Sequence, residues 1–224
     1  MEPVARAHDP LAADWVTGLF LLALIFIAAI NRNAPRKWRF LLREGLRIRQ
    51  GPKALRDELD LQDRNYLGIV LLAIASIALF AWQSLHVEQV EDAPSYLSLI
   101  GILTLVLVAL WSIVRLSGVL AGSHAATREH ARAGSIILAM LGLALFPLVV
   151  LMAFQAAWRE ELVRVGYVLV TAALLYRWVR GIGVGMVEGV PIRYIILYFC
   201  AAEAMPLLLA IHALRPPIHP TLNL

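Results

Sequence analysis

Glu203 is the residue with the most chemical reach. It stands in Tyr198-Phe199-Cys200-Ala201-Ala202-Glu203-Ala204-Met205-Pro206-Leu207, near the middle of the apolar stretch 192–214. If that stretch lies in lipid, an unpaired charge there costs at least about 2.5–3.5 kcal/mol on insertion scales. The carboxyl must then be protonated, face other helices, or pair with a base. Pro206 has no N–H, so the carbonyl of Ala202 loses its usual helical donor. A carboxylate beside a loosened turn suits the binding of an ion or a proton. Its plainer use is a hydrogen bond across a bundle, holding helices in register. Arg115, four residues after Trp111 in another apolar run, is the natural counter-charge. The plainer fate of Arg115 is to snorkel to the membrane surface.

Other groupings point to less. His124 and His130 flank Glu129, but histidines six apart do not share a helix face at ligand spacing, so they make a poor metal site. Both are expected in a loop. Glu160-Glu161-x-x-Arg164 is one residue short of the Glu-Glu-x-x-x-Arg signature of CAAX-type intramembrane proteases, and no Phe-x-x-x-His helix follows it. At a helix start, acidic residues are favourable anyway. Gly181-x-Gly183-x-Gly185 follows an apolar run and opens no βαβ unit, so it reads as a flexible loop rather than a dinucleotide fingerprint. Cys200 is the single cysteine, which excludes an intrachain disulfide and any cysteine-based zinc centre. No catalytic Ser/His/Asp arrangement, cofactor or metal is implied.

The elements that must position these residues are membrane helices. Of 224 residues, 60% are hydrophobic and 16% charged, against about half and a quarter in soluble domains. The excess falls in long runs. Spanning takes roughly 20 apolar residues, and six runs are candidates: 15–30, which is short, 66–85, 96–120, 135–154, 162–179 and 192–214. Unbroken runs such as 136–152 exclude the alternating ten-residue segments of a barrel. Pro147 within that run is tolerable in a membrane helix. The fold expected is all-α, one polytopic bundle of about six helices over residues 1–224. Asp9 and Asp14 precede the first run where a signal peptide would be basic, so that run reads as an uncleaved anchor.

Arginine and lysine set the orientation. Segment 31–65 holds ten of the 20 basic residues, and Arg115, Arg128, Arg132, Arg177, Arg180 and Arg193 fall on the same side. Arg6, Arg159, Arg164 and Arg215 fall on the other. The positive-inside rule puts the crowded side in the cytoplasm and both termini outside. It also makes topology, not nucleic acid, the reason for a net charge of +4. Within 31–65, Trp38, Leu41, Leu42 and Leu46 recur at helical spacing opposite Arg36, Arg39, Arg43 and Arg47. That pattern fits an interfacial helix on anionic lipid, ended by Gly51-Pro52; the other use of the segment is to dock a cytoplasmic protein.

Tyr198-x-Cys200-x-x-Glu203-x-x-Pro206-Leu207 resembles the closing motif of an uncharacterised polytopic membrane family of the Bacteroidota, a domain of unknown function. That family usually reads Tyr-Leu-Cys-Thr-Leu-Glu-Ile-Leu-Pro-Leu. Asp14-Trp15 at the start of the first helix, and the basic segment after it, are similar too. The resemblance implies a bacterial inner membrane and marks Tyr198, Cys200, Glu203 and Pro206. It supplies no reaction.

Three functions follow from these residues. The first is a non-enzymatic structural or assembly component of an envelope complex, in contact with the lipid bilayer and other membrane proteins. The second is a small carrier or channel using Glu203 and Arg115. The third is a membrane enzyme acting on a lipid-linked substrate.

Overall fold

The computed structural model describes residues 11, 13–33, 64–88, 94–120 and 124–187. The expected sixth helix at 192–214, most of the basic segment 31–65, and Tyr198, Cys200, Glu203 and Pro206 lie outside the described residues. Those described form five α-helices: α1 Asp14–Asn33, α2 Arg64–Val87, α3 Tyr96–Leu120, α4 His124–Phe154 and α5 Arg159–Val187, with a 3₁₀ turn Ala156–Trp158 before α5. No strand occurs among the described residues.

Each helix is long and apolar enough to cross a membrane. The shortest, α1, has 20 residues, about 30 Å at 1.5 Å per residue, the thickness of a hydrocarbon core. Its ends suit its dipole, with Asp14 in the first turn and Arg32 in the last.

Two expectations are corrected. His124 and His130 occupy the opening turns of α4 rather than a loop. Six residues place them about 120° apart around that helix. Gly181, Gly183 and Gly185 continue α5 to Val187 instead of forming a flexible loop. The opening of α4 is rich in good helix formers, Ala125, Ala126, Arg128, Glu129 and Ala131, and for the glycines of α5 two costs are balanced. A glycine costs a helix about 1 kcal/mol, whereas an unpaired backbone group in apolar surroundings costs several. The helices therefore run past the apolar windows that reveal them.

Helix α2 is the centre. Its apolar window is 61% buried, against 44% for that of α4, 22% for α1, and 11% each for α3 and α5. It packs most extensively on α4, which in turn packs on α5, while α3 rests on both α2 and α4. The α2–α4 seam is tight because small residues face each other there. A Cβ on Gly142 would fall on the backbone of Ala73. Without a hydrophobic drive between lipid-embedded helices, such close packing is what holds them together. Leu145, Val149 and Met152 of α4 are fully buried against the cluster that includes Leu79 and Phe80 of α2.

Helix α1 is held differently, by large rings. Trp15 packs edge-on against Trp82 with centroids 5.1 Å apart. Phe20 meets Phe146 and Phe154, each at 6.1 Å, and Phe26 covers Gly68. Pro147 sits inside α4 without ending it.

Candidate functional site

The polar side chains of the bundle gather at its two ends. At one end lie the C-termini of α2 and α4 and the start of α5. Tyr167 donates its hydroxyl to Glu88 Oε1 at 2.9 Å, tying α5 to the end of α2. Arg159 donates from Nε to the carbonyl of Met152 at 2.8 Å and from Nη2 to that of Ala153 at 3.4 Å. Those carbonyls belong to the last turn of α4, which has no helical donors left for them. His86 Nδ1 lies 2.8 Å from the Trp82 carbonyl, and the two rings are 4.2 Å apart. Glu160 and Glu161 open α5 and pair with Arg164 at 3.9 and 2.9 Å, all well exposed. The near-match to a protease signature is thus a solvated helix start.

On α2, the hydroxyls of Ser76 and Ser84 are satisfied by the carbonyls four residues back, at 2.9 and 2.8 Å. Gln83 is not satisfied. Its side chain is completely buried, and neither amide atom has a hydrogen-bond partner among the described residues. Such an amide costs roughly 1–3 kcal/mol relative to a satisfied one. Gln83 was legible as the one amide in the run 66–85, where an intramembrane polar residue is a site candidate.

The opposite end is built from the start of α2 and α4 and the last turns of α3 and α5. Tyr66 donates to Ser135 Oγ at 2.6 Å, joining α2 to α4. The Arg177 guanidinium lies against Gly134, where a Cβ would be 3.6 Å from its Cζ. Arg180, one turn on, is 4% exposed and is the buried charge among the described residues. Guanidinium stays charged in proteins, so a buried one is always held by polar or anionic groups.

Arg115, the expected counter-charge, stands exposed at this end with its guanidinium over the Trp111 ring, 3.7 Å from the centroid. Helix order therefore puts Arg115 at the same end of the bundle as Arg177, Tyr66 and Ser135. Its pairing with Glu203 falls outside the described residues. No group of three metal-ligating side chains occurs among the described residues.

Two grooves flank the centre. One, of about 260 Å³, lies between α1 and α2 and is almost wholly apolar, with Phe20, Phe26 and Leu71 on its walls. The other, of about 390 Å³, runs between α2, α3 and α4 and is lined at one end by Tyr66, Ser135 and Arg177.

Comparison with the curated proteins and with the solved structures finds no match to the chain. One family model does match, described as Domain of unknown function (DUF4271), over residues 16–214. That range takes in α1 from Val16 onward, all of α2 to α5 and the motif around Glu203, and the chain belongs to this family.

Proposed function

We propose that the protein is a six-helix, multi-pass component of a bacterial inner membrane, of the Bacteroidota type, with both termini outside. In this reading it serves a larger envelope complex as a structural or assembly part and not as an enzyme. The observation that carries it is the division of labour among the helices. α2 and α4 supply the internal packing, while α3 and α5 leave most of their length uncovered. Leu97 and Leu105 of α3 are 77% and 70% exposed. Such faces meet either lipid or a neighbouring membrane protein.

The test is a mild-detergent pull-down of the tagged chain from its native membrane, followed by mass spectrometry. A stoichiometric protein partner, lost in Leu97→Ala/Leu105→Ala while the chain still accumulates, is the expected result. Recovery of the chain alone contradicts the reading.

A carrier or channel is the second reading, and the buried Gln83 amide and the buried Arg180 favour it. Polar groups inside a membrane bundle mark ion and solute paths. In this case Glu203 takes part, and pH-dependent transport disappears in Glu203→Gln at unchanged protein level. Transport that survives in that variant removes the site.

A further inference from the structure

We propose that the acidic segment 57–63, which leads into α2, seats on the arginine end of α5, with the carboxylate of Asp63 against the guanidinium of Arg180. Arg180 is 4% exposed, and both it and Arg177 are held by contacts within the chain. A guanidinium out of water keeps its charge and takes an anionic or polar partner. Among the described residues, the acidic side chains of Asp14, Glu88, Glu160 and Glu161 stand at the opposite end of the bundle, where α1 and α5 begin and α2 finishes.

The helices fix the level at which the partner of Arg180 lies. Tyr66 of α2 donates to Ser135 of α4 at 2.6 Å, and Arg177 of α5 lies against Gly134, the residue before Ser135. Tyr66 and Arg177 are thus at one level, and both line the same groove. Helix α2 begins at this end and α5 finishes at it. One turn before Tyr66 and one turn after Arg177 are therefore displaced the same way, by about 4.5 Å for three residues. The residues at those positions are Asp63 and Arg180. Asp63 is bonded directly to Arg64, the first residue of α2, so its Cα lies about 3.8 Å from that of Arg64. Other acids are farther off. Glu129 is six residues before Ser135, about 9 Å along α4, and Glu188 is eight beyond Arg180, about 12 Å along the chain if the helix continued. Charge complementarity extends past the pair, since Asp57, Glu58, Asp60 and Asp63 fall within seven residues. Seated in this way, the segment is an internal counter-charge that fastens the connection 31–65 to the bundle. The inference uses neither the orientation in the membrane nor the scaffold or carrier reading.

The test uses the full chain in detergent. Asn caps a helix as well as Asp does, so Asp63→Asn removes the charge and keeps any cap. It is expected to lower the midpoint of thermal unfolding by roughly 5–10 °C, because removing one partner of a buried pair leaves the other uncompensated. In an Arg180→Gln background the same substitution should cost less than about 2 °C. In an Arg115→Gln background, where the altered guanidinium is the exposed one over Trp111, it should cost as much as in the unaltered chain. A loss equal in all three backgrounds would come from the helix dipole alone and overturns the proposal, as does the absence of any loss in the unaltered chain. Arg180→Lys keeps the charge and supplies an amine, which a lipid-soluble carbodiimide joins to a carboxylate in contact with it. Peptide mass spectrometry is expected to find that link on Asp63 or Asp60. A link to Glu129, Glu188 or Glu203 instead, or no link, overturns the proposal, and this measurement decides by itself if Arg180→Gln does not accumulate.

Discussion

Helices α2 and α3 are of nearly equal length, 24 and 25 residues, and α3 is the more hydrophobic. Yet the apolar window of α2 is 61% buried and that of α3 only 11%. In a water-soluble domain the order would be reversed, because the most apolar helix gains most from the core. Where lipid is the surrounding medium, both faces of a helix are offered hydrocarbon, and position is decided by fit. Helix α2 carries Gly68, Ala73, Ala75, Ser76 and Ala78, which allow close backbone approach, and three of its buried residues, Ser76, Gln83 and Ser84, are polar. Helix α3 presents Leu97, Ile102, Leu105 and Val108 outward. Hydropathy identifies a crossing segment; small and polar residues identify the centre of the bundle.

This contrast can be broken at a single side chain. Gly142→Val in α4 drives its side chain into the Ala73 backbone, and overpacking of this kind costs about 1–3 kcal/mol. At Gly101 in α3 a Cβ meets nothing within 4 Å, so Gly101→Val should stay within about 0.5 kcal/mol of the unaltered chain. Thermal unfolding in detergent, read by size-exclusion chromatography, compares the two, and equal losses would erase the distinction between centre and periphery.

A smaller effect, of opposite sign, is expected at Gln83. Gln83→Met keeps the length and removes the unsatisfied amide, so the melting temperature rises, by the equivalent of about 1–2 kcal/mol. A fall in stability would mean that the amide is satisfied after all. The smallest effect belongs to the hydroxyl pair at the other end. A double-mutant cycle over Tyr66→Phe and Ser135→Ala should give a coupling near 0.6 kcal/mol, typical of membrane hydrogen bonds. A coupling indistinguishable from zero would leave that end of the α2–α4 seam held by packing alone.

How much of this was legible from the residues differs from feature to feature. The bounds of α3 could be read directly, since Tyr96 and Leu120 mark both the apolar run and the helix. Those of α4 and α5 could not, because the helix continues through His124–Arg132 and through Gly181–Gly185, where hydropathy falls but backbone hydrogen bonding does not. Burial was not legible at all: Leu105 and Leu145 look alike in sequence, yet one is 70% exposed and the other fully buried. Arg180 counted only as a topology marker, and its burial is a property of the neighbours that α5 meets. Arg115 was singled out for its charge within an apolar run, and the structure places it at the end that also gathers Arg177, Tyr66 and Ser135. The glutamate motif in 192–214 remains a reading of sequence.

Orientation is the claim on which the proposed function leans, and thiol accessibility tests it most directly. In a Cys200→Ser background, Glu88→Cys and Gly183→Cys each place one thiol at an exposed position, at opposite ends of the bundle. A membrane-impermeant maleimide applied to intact cells with a permeable outer envelope should label Glu88→Cys at once. It should label Gly183→Cys only after the inner membrane is opened. Labelling of Gly183→Cys in intact cells, with Glu88→Cys protected, would invert the topology and contradict the account.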